Sequence, residues 1–191
     1  VVFKEEHLVE PIDPEEKFNL NDYYTHPEKY RSCFENYLPY LSVLVNCIYW
    51  DPRYPRLLTR EYSEQMFEDG QPKLTVIGDI TCDPDGSVEI THRGTEIENP
   101  VFVYNPFTRE PTDGFKGIGL LVMAVDILPS ELPRDASQFF SEVLWRYVAP
   151  IAKADFNRPF SEVGLPNPIR KAMILHHGEF TPEYEYMKKY I

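Results

Sequence analysis

The sequence is poor in the residues that most often announce a mechanism. Its three cysteines, Cys33, Cys47 and Cys82, form no CxxC pair and have no histidine at zinc spacing, so a structural metal site has little support and reduced thiols are expected. Nine glycines among 191 residues include no GxGxxG and no GxxxxGK[ST]. The chain therefore has no phosphate-cradling loop of its own. No GxSxG is present either, which removes the serine-hydrolase elbow. Basic residues are few: 19 Lys and Arg face 31 Asp and Glu, for a formal net charge of -12. Phosphate backbones require clustered cations, and here they are scattered, so nucleic acid is excluded as a partner. No apolar run approaches the roughly 18 residues of a membrane span, and the N-terminus is too acidic for a signal or transit peptide. A soluble, cytoplasmic chain is the expectation, or a mitochondrial one in a eukaryote.

What is present suffices for one good core, with 42% hydrophobic and 14% aromatic residues. Three apolar runs stand out. Residues 41–49 (LSVLVNCIY) are rich in β-branched side chains and too short for a typical helix, which predicts a fully buried parallel strand. Residues 74–78 (LTVIG) and 119–125 (GLLVMAV) read the same way. Between the first two, Thr59 is placed to cap a helix carrying Tyr62 and Met66 on one face, completing a strand, helix, strand unit. From Asp135 the positions Ala136, Phe139, Phe140, Val143, Leu144, Tyr147 and Val148 recur at steps of three and four, the mark of an amphipathic helix. That helix is expected on a face of the sheet.

Elsewhere the signals are weaker. Val1, Val2 and Phe3 resemble the interior or end of a buried strand, residues 4–22 a loop with short helical turns, and the tyrosine-rich stretch to Tyr40 a set of helical pieces with half-buried rings. Residues 88–90 and 101–104 read as short strands, 106–115 as a loop, and 169–175 as a short helix; the tail from Pro182 reads as helical.

The 74–87 segment, LTVIGDITCDPDGS, organises the rest. Its apolar strand ends at Gly78 and delivers Asp79, Thr81, Cys82 and Asp83 onto a loop that Pro84, Asp85 and Gly86 turn away. In open α/β sheets ligands bind beyond the carboxyl ends of the strands, so one carboxylate is left facing a crevice. The loop at Asp126–Ser130 repeats this arrangement after the third run. A calcium loop fails, because setting Gly86 sixth puts Thr81 first and His92 twelfth. His176 and His177 read as a solvated pair without a third donor. Cys47 and Cys82 both fall at strand ends, and neighbouring strands would bring them near enough for a redox pair.

Four segments in order resemble the lysine-2-oxoglutarate reductase and saccharopine dehydrogenase family, itself akin to alanine dehydrogenase and the nucleotide-binding transhydrogenase. They are Val45-Asn46-Cys47-Ile48-Tyr49-Trp50, Gly78-Asp79-Ile80-Thr81-Cys82-Asp83, Gly86-Ser87-Val88-Glu89 and Val125-Asp126-Ile127-Leu128-Pro129-Ser130-Glu131-Leu132-Pro133. The resemblance runs from about Tyr23 to the C-terminus. It implies an α/β fold, a partial Rossmann-like parallel sheet with C-terminal helices. Residues 1–150 would be the second half of a nucleotide-binding domain with a helical and loop-like N-terminal region, and residues 151–191 a segment returning to a substrate domain. It implies a cofactor, NAD or NADP, with Tyr49 and Ile80 lining its adenosine and nicotinamide sides and Val125, Asp126, Ile127 and Leu128 forming the loop over the nicotinamide. It implies substrate contacts at Thr81, Cys82 and Asp83, with Asp83 the active-site carboxylate, in the interconversion of saccharopine with lysine and 2-oxoglutarate.

The family's N-terminal substrate domain and diphosphate loop have no counterpart here. The chain is therefore expected to be part of a longer enzyme and inactive alone. A half domain with an open strand edge is expected to associate, as a homo-oligomer or an aggregate. The competing expectations are an alanine-dehydrogenase-like enzyme and a non-catalytic module that binds a partner through its tyrosine-rich acidic N-terminal region.

Overall fold

A computed structural model describes residues 1–190, which divide into two compact units, the first Val1–Glu131 and the second beginning at Leu132. In the first, α1 (Glu5–Leu8) leads into β1 (Val9–Pro11), followed by α2 (Leu20–Thr25) and β2 (Tyr30–Ser32), which pairs antiparallel with β1. Then come β3 (Val43–Asn46), α3 (Arg60–Glu68), β4 (Val76–Asp79), β5 (Val101–Asn105), β6 (Glu110–Asp113) and β7 (Leu120–Met123). The second unit holds α4 (Pro133–Lys153), α5 (Asn167–Ala172) and the two-stranded hairpin of β8 (Leu175–His176) and β9 (Glu179–Phe180).

The five central strands form one sheet in the order β3-β4-β7-β5-β6. β3, β4 and β7 are the three apolar runs, and they are parallel neighbours as their unbroken hydrophobicity predicts. Register aligns Leu44, Ile77, Val122 and Phe102 across four strands, and all four lie in the main core. Thr59 caps α3 by accepting from Tyr62 N at 3.1 Å, while Met66 is buried.

Several expectations fail on burial and on pairing. β3 is not fully buried: it is an edge strand whose Val43 and Val45 are 55% and 60% exposed, because only its other face meets the core. Val1 and Val2 form no strand and are exposed. Residues 88–90 contribute only a single bridge, Val88 to Leu58. The expected 106–115 loop contains β6, which folds back on β5 through a tight turn with Arg109 in the left-handed region at φ 59°. The helical signal over 169–175 is half right, since α5 ends at Ala172 and Leu175 begins β8. α4 extends beyond its apolar repeat on both sides, with Pro133 in its first turn and Pro150 inside it. Its periodicity is correct, yet none of its residues is buried. His176 and His177 stack at 4.0 Å, their Nε2 atoms 2.9 and 2.6 Å from the carbonyl oxygens of Arg158 and Phe156. The pair faces solvent as expected, with His177 exposed and His176 half-buried, and backbone carbonyls hold both rings.

The tyrosines pack as expected of amphipathic rings. Tyr23 meets Tyr30 and Tyr54 edge to face at centroid distances of 5.2 and 5.3 Å, and Tyr23, Tyr30 and Val9 form a small second core.

Candidate functional site at the carboxyl ends of the parallel strands

Parallel pairing of β3, β4 and β7 sends all three carboxyl ends to the same edge of the sheet. β3 ends at Asn46 and β4 at Asp79, directly opposite one another. The ladder then continues past the strands: Ile80 N donates to Asn46 O at 2.8 Å, and Thr81 Oγ1 to Ile48 O at 2.9 Å.

Beneath this edge lies a buried polar network. Asn46 Nδ2 donates to Asp79 Oδ1 and to Ser87 Oγ, both at 2.8 Å, and Thr91 Oγ1 donates to Asp79 Oδ2 at 2.6 Å. Cys82 N completes the set at 3.2 Å from Asp79 Oδ1. Asn46, Asp79, Ser87 and Thr91 are all buried, so every one of these bonds replaces water that cannot reach the groups. The consequence is a loop whose start is pinned from below.

The loop itself is tightly wound. Cys82 and Asp85 occupy the left-handed region at φ 48° and 55°, uncommon for residues other than glycine. Gly86 N donates to Asp83 O at 3.0 Å, and a Cβ on Gly86 would sit 2.8 Å from that oxygen, so glycine is required for the close approach. Asp85 N reaches Thr91 O, and Ser87 O accepts from Leu57 N at 2.8 Å. Asp83 is exposed, and among the described residues no hydrogen bond or ion pair reaches its carboxylate. Its neighbour Asp85 is different, being paired with Arg60.

Around this loop the remaining predicted residues fall in two places. Tyr49 and Ile80, at the β3 and β4 ends, are 84% and 38% exposed. At the β7 end Val125 is buried and bridged to Thr95, Asp126 and Ile127 are exposed, and half-buried Leu128 opens a short 3-10 turn. Asp126 and Ile127 border an open depression of about 470 Å³ shared with Thr95 and Glu96. Burial pushes the Cys82 thiol up, and the carboxylates of Asp126, Asp79 and Asp83 push it further, so Cys82 stays protonated. All three cysteines are free thiols, with Cys47 exposed.

Two features had no counterpart in the sequence reading. One is an aromatic cavity of about 400 Å³ beside the β3 end, lined among others by Phe3, Tyr23, Tyr24, Tyr49, Trp50 and Tyr54. The Tyr-Tyr pair at 23–24 and the Ile-Tyr-Trp run after β3 are its only traces in the sequence. The other is Arg56, whose guanidinium lies over Trp50 at 4.6 Å from the ring centroid and donates to the carbonyl oxygens of Asp85 and Gly86.

Comparison with known proteins adds a family to this geometry. The model of the alanine dehydrogenase/PNT C-terminal domain matches residues 50–183. The chain belongs to that family. Among curated relatives it is 42% identical, over 95% of its length, to alpha-aminoadipic semialdehyde synthase of Arabidopsis thaliana, and 31% identical over 99% to the mitochondrial enzyme of that name from Mus musculus. A saccharopine dehydrogenase [NAD(+), L-lysine-forming] of Emericella nidulans is 33% identical over 54% of the chain and 26% of its own length. The chain spans 17% and 22% of the length of the first two. Among the described residues no helix is long and apolar enough to cross a membrane.

Proposed function

We propose that this chain supplies the second half of the nucleotide-binding domain, in residues 1–150, and a segment returning to the substrate domain, in residues 151–191, of a larger NAD- or NADP-dependent oxidoreductase that interconverts saccharopine with lysine and 2-oxoglutarate. The observation that carries the reading is Asp83: an exposed carboxylate without a partner among the described residues, on a loop pinned at the edge where three parallel strands end. The names of the relatives point to the same chemistry.

The chain's own side chains suit one side of a dinucleotide. Tyr49, Ile80 and Ile127 offer exposed apolar surface at the strand ends, fitted to planar rings, whereas no glycine loop is present for a diphosphate, which the rest of the larger protein would hold. Val125, Asp126 and Leu128 would complete the wall on the nicotinamide side. When bound, the cofactor supplies hydride transfer. Asp83 orients the substrate amine nitrogen and stabilises the cationic imine of the condensed substrates, with Thr81 and Cys82 beside it. Cys82, being protonated, acts there as a weak donor and not as a nucleophile. An alanine-dehydrogenase-like activity is the second reading, favoured by the description of the matching family.

The test uses the full-length protein. Asp83→Asn keeps size and removes charge, so turnover of lysine plus 2-oxoglutarate should fall about a hundredfold to a thousandfold. Cofactor affinity and thermal stability should hardly move. Near-parental turnover would sink the catalytic role of Asp83, and turnover of pyruvate with ammonia in place of lysine would select the second reading.

A further inference from the structure

Arg56 lies in the connection between β3 and α3 and reaches the turn after Asp83 through its side chain. Its guanidinium takes three kinds of partner at once. One face lies over the Trp50 ring at 4.6 Å, and the Trp50 indole is itself fixed by donating from Nε1 to Tyr54 O at 2.9 Å and Pro55 O at 3.2 Å. Nη1 donates to both Asp85 O and Gly86 O, and Nε lies 3.7 Å from Glu89 Oε1. Glu89 in turn accepts from Arg60 N at 3.0 Å, at the start of α3. Asp85 and Gly86 are the residues that close the turn begun by Asp83, since Gly86 N donates to Asp83 O.

The geometry points to Arg56 as a positioning residue for Asp83, acting through the two turn carbonyls and held in place by Trp50. This rests on the catalytic reading of Asp83 given above. Arg60 holds the Asp85 carboxylate and Leu57 N holds Ser87 O, while among the described residues Arg56 is the side chain that reaches the carbonyl oxygens of Asp85 and Gly86. The polar network of Asn46, Asp79 and Thr91 holds the beginning of the loop through Cys82 N and its far end through Asp85 N, but neither bond reaches the carbonyls of Asp85 and Gly86. One guanidinium nitrogen donates to two neighbouring carbonyl oxygens while the planar face stays on the Trp50 ring; an ammonium could donate to both carbonyls but has no planar face to stack, so it would not be held in place by Trp50. Trp50 also lines the aromatic cavity next to Tyr49, so the same stack joins the proposed cofactor side to the carboxylate loop.

Steady-state kinetics of the full-length enzyme, on the parent and on the Asp83→Asn background, tests this. Arg56→Ala should lower kcat by about tenfold to a hundredfold, the size of effect a misplacement of order 1 Å produces, with KM for the dinucleotide changed by less than about threefold. Arg56→Lys should restore little of it. On the Asp83→Asn background Arg56→Ala should add less than about threefold, because the group it positions is already gone. If Arg56→Ala does not fold, Arg56→Lys carries the same comparison. An equal loss on both backgrounds, a change confined to KM, or a kcat within about threefold of the parent would overturn the inference while leaving Asp83 catalytic. Near-parental turnover of Asp83→Asn alone would remove the catalytic reading, and the inference with it.

Discussion

Asn46 Nδ2 lies 2.8 Å from Asp79 Oδ1, and this bond joins the carboxyl ends of two neighbouring parallel strands at a depth where both residues are buried. Asp79 also accepts from Thr91 and from Cys82 N, so one side chain ties β3, β4 and two points of the following loop. Asp79→Ala would strand the Cys82 amide and leave Asn46 Nδ2 with Ser87 Oγ alone. Leaving buried donors unmade costs about 1–3 kcal/mol each, so a loss of about 3 kcal/mol is expected. Asp79→Asn should lose less, because its oxygen can face Asn46 while the Thr91 hydroxyl turns to accept. Urea denaturation of the three proteins checks this, and equal midpoints would show that the network is dispensable.

A second prediction concerns the start of β7. Gly119 has φ +138°, and a Cβ there would stand 1.8 Å from the carbonyl oxygen of Tyr104 on β5. Both the backbone region and the space exclude a side chain. Gly119→Ala should therefore cost about 3 kcal/mol or more, or prevent folding, as read from expression and thermal unfolding. Gly114→Ala, at φ +87° with nothing within 4 Å, is the comparison that separates crowding from backbone strain. It should be clearly milder.

A third follows from Tyr23, whose phenol is pushed up to about 12, first by burial and then by the neighbouring Tyr54 and Tyr24. In the unfolded chain a tyrosine ionises near pH 10, so between about pH 10 and 12 the unfolded state loses a proton that the folded state keeps. The stabilisation is complete below pH 10 and disappears as pH rises through the folded value. Thermal unfolding followed from pH 9 to 12 should show a falling midpoint, and Tyr23→Phe should flatten part of the slope. An unchanged slope in that variant would place the alkaline loss elsewhere.

The elements that proved easiest to read were those whose pattern is local. Thr59 marks the start of α3 because its hydroxyl accepts from an amide only three residues away, and α4 follows from apolar steps of three and four. Where the same residue types serve two environments, local pattern fails. Val43 and Val45 are chemically indistinguishable from Val122, yet two are exposed on an edge strand and one is in the core. β6 was hidden for a related reason: Glu110 to Asp113 is polar and carries a proline, and only its pairing with β5 makes it a strand.

The sequence by itself determined that three unbroken apolar runs would lie parallel in one sheet and that a carboxylate would follow the second of them, since such runs find no other way to bury their surface and Pro84 with Gly86 must turn the chain. Tertiary structure alone decided which strand stands at the edge and which side chains support the loop. Asn46 and Asp79 are 33 residues apart, and Arg56 and Asp85 are 29 apart. Residue type is a local property, whereas a hydrogen-bond partner is chosen by strand register and by the path of the connection, and both are settled only when the whole sheet assembles.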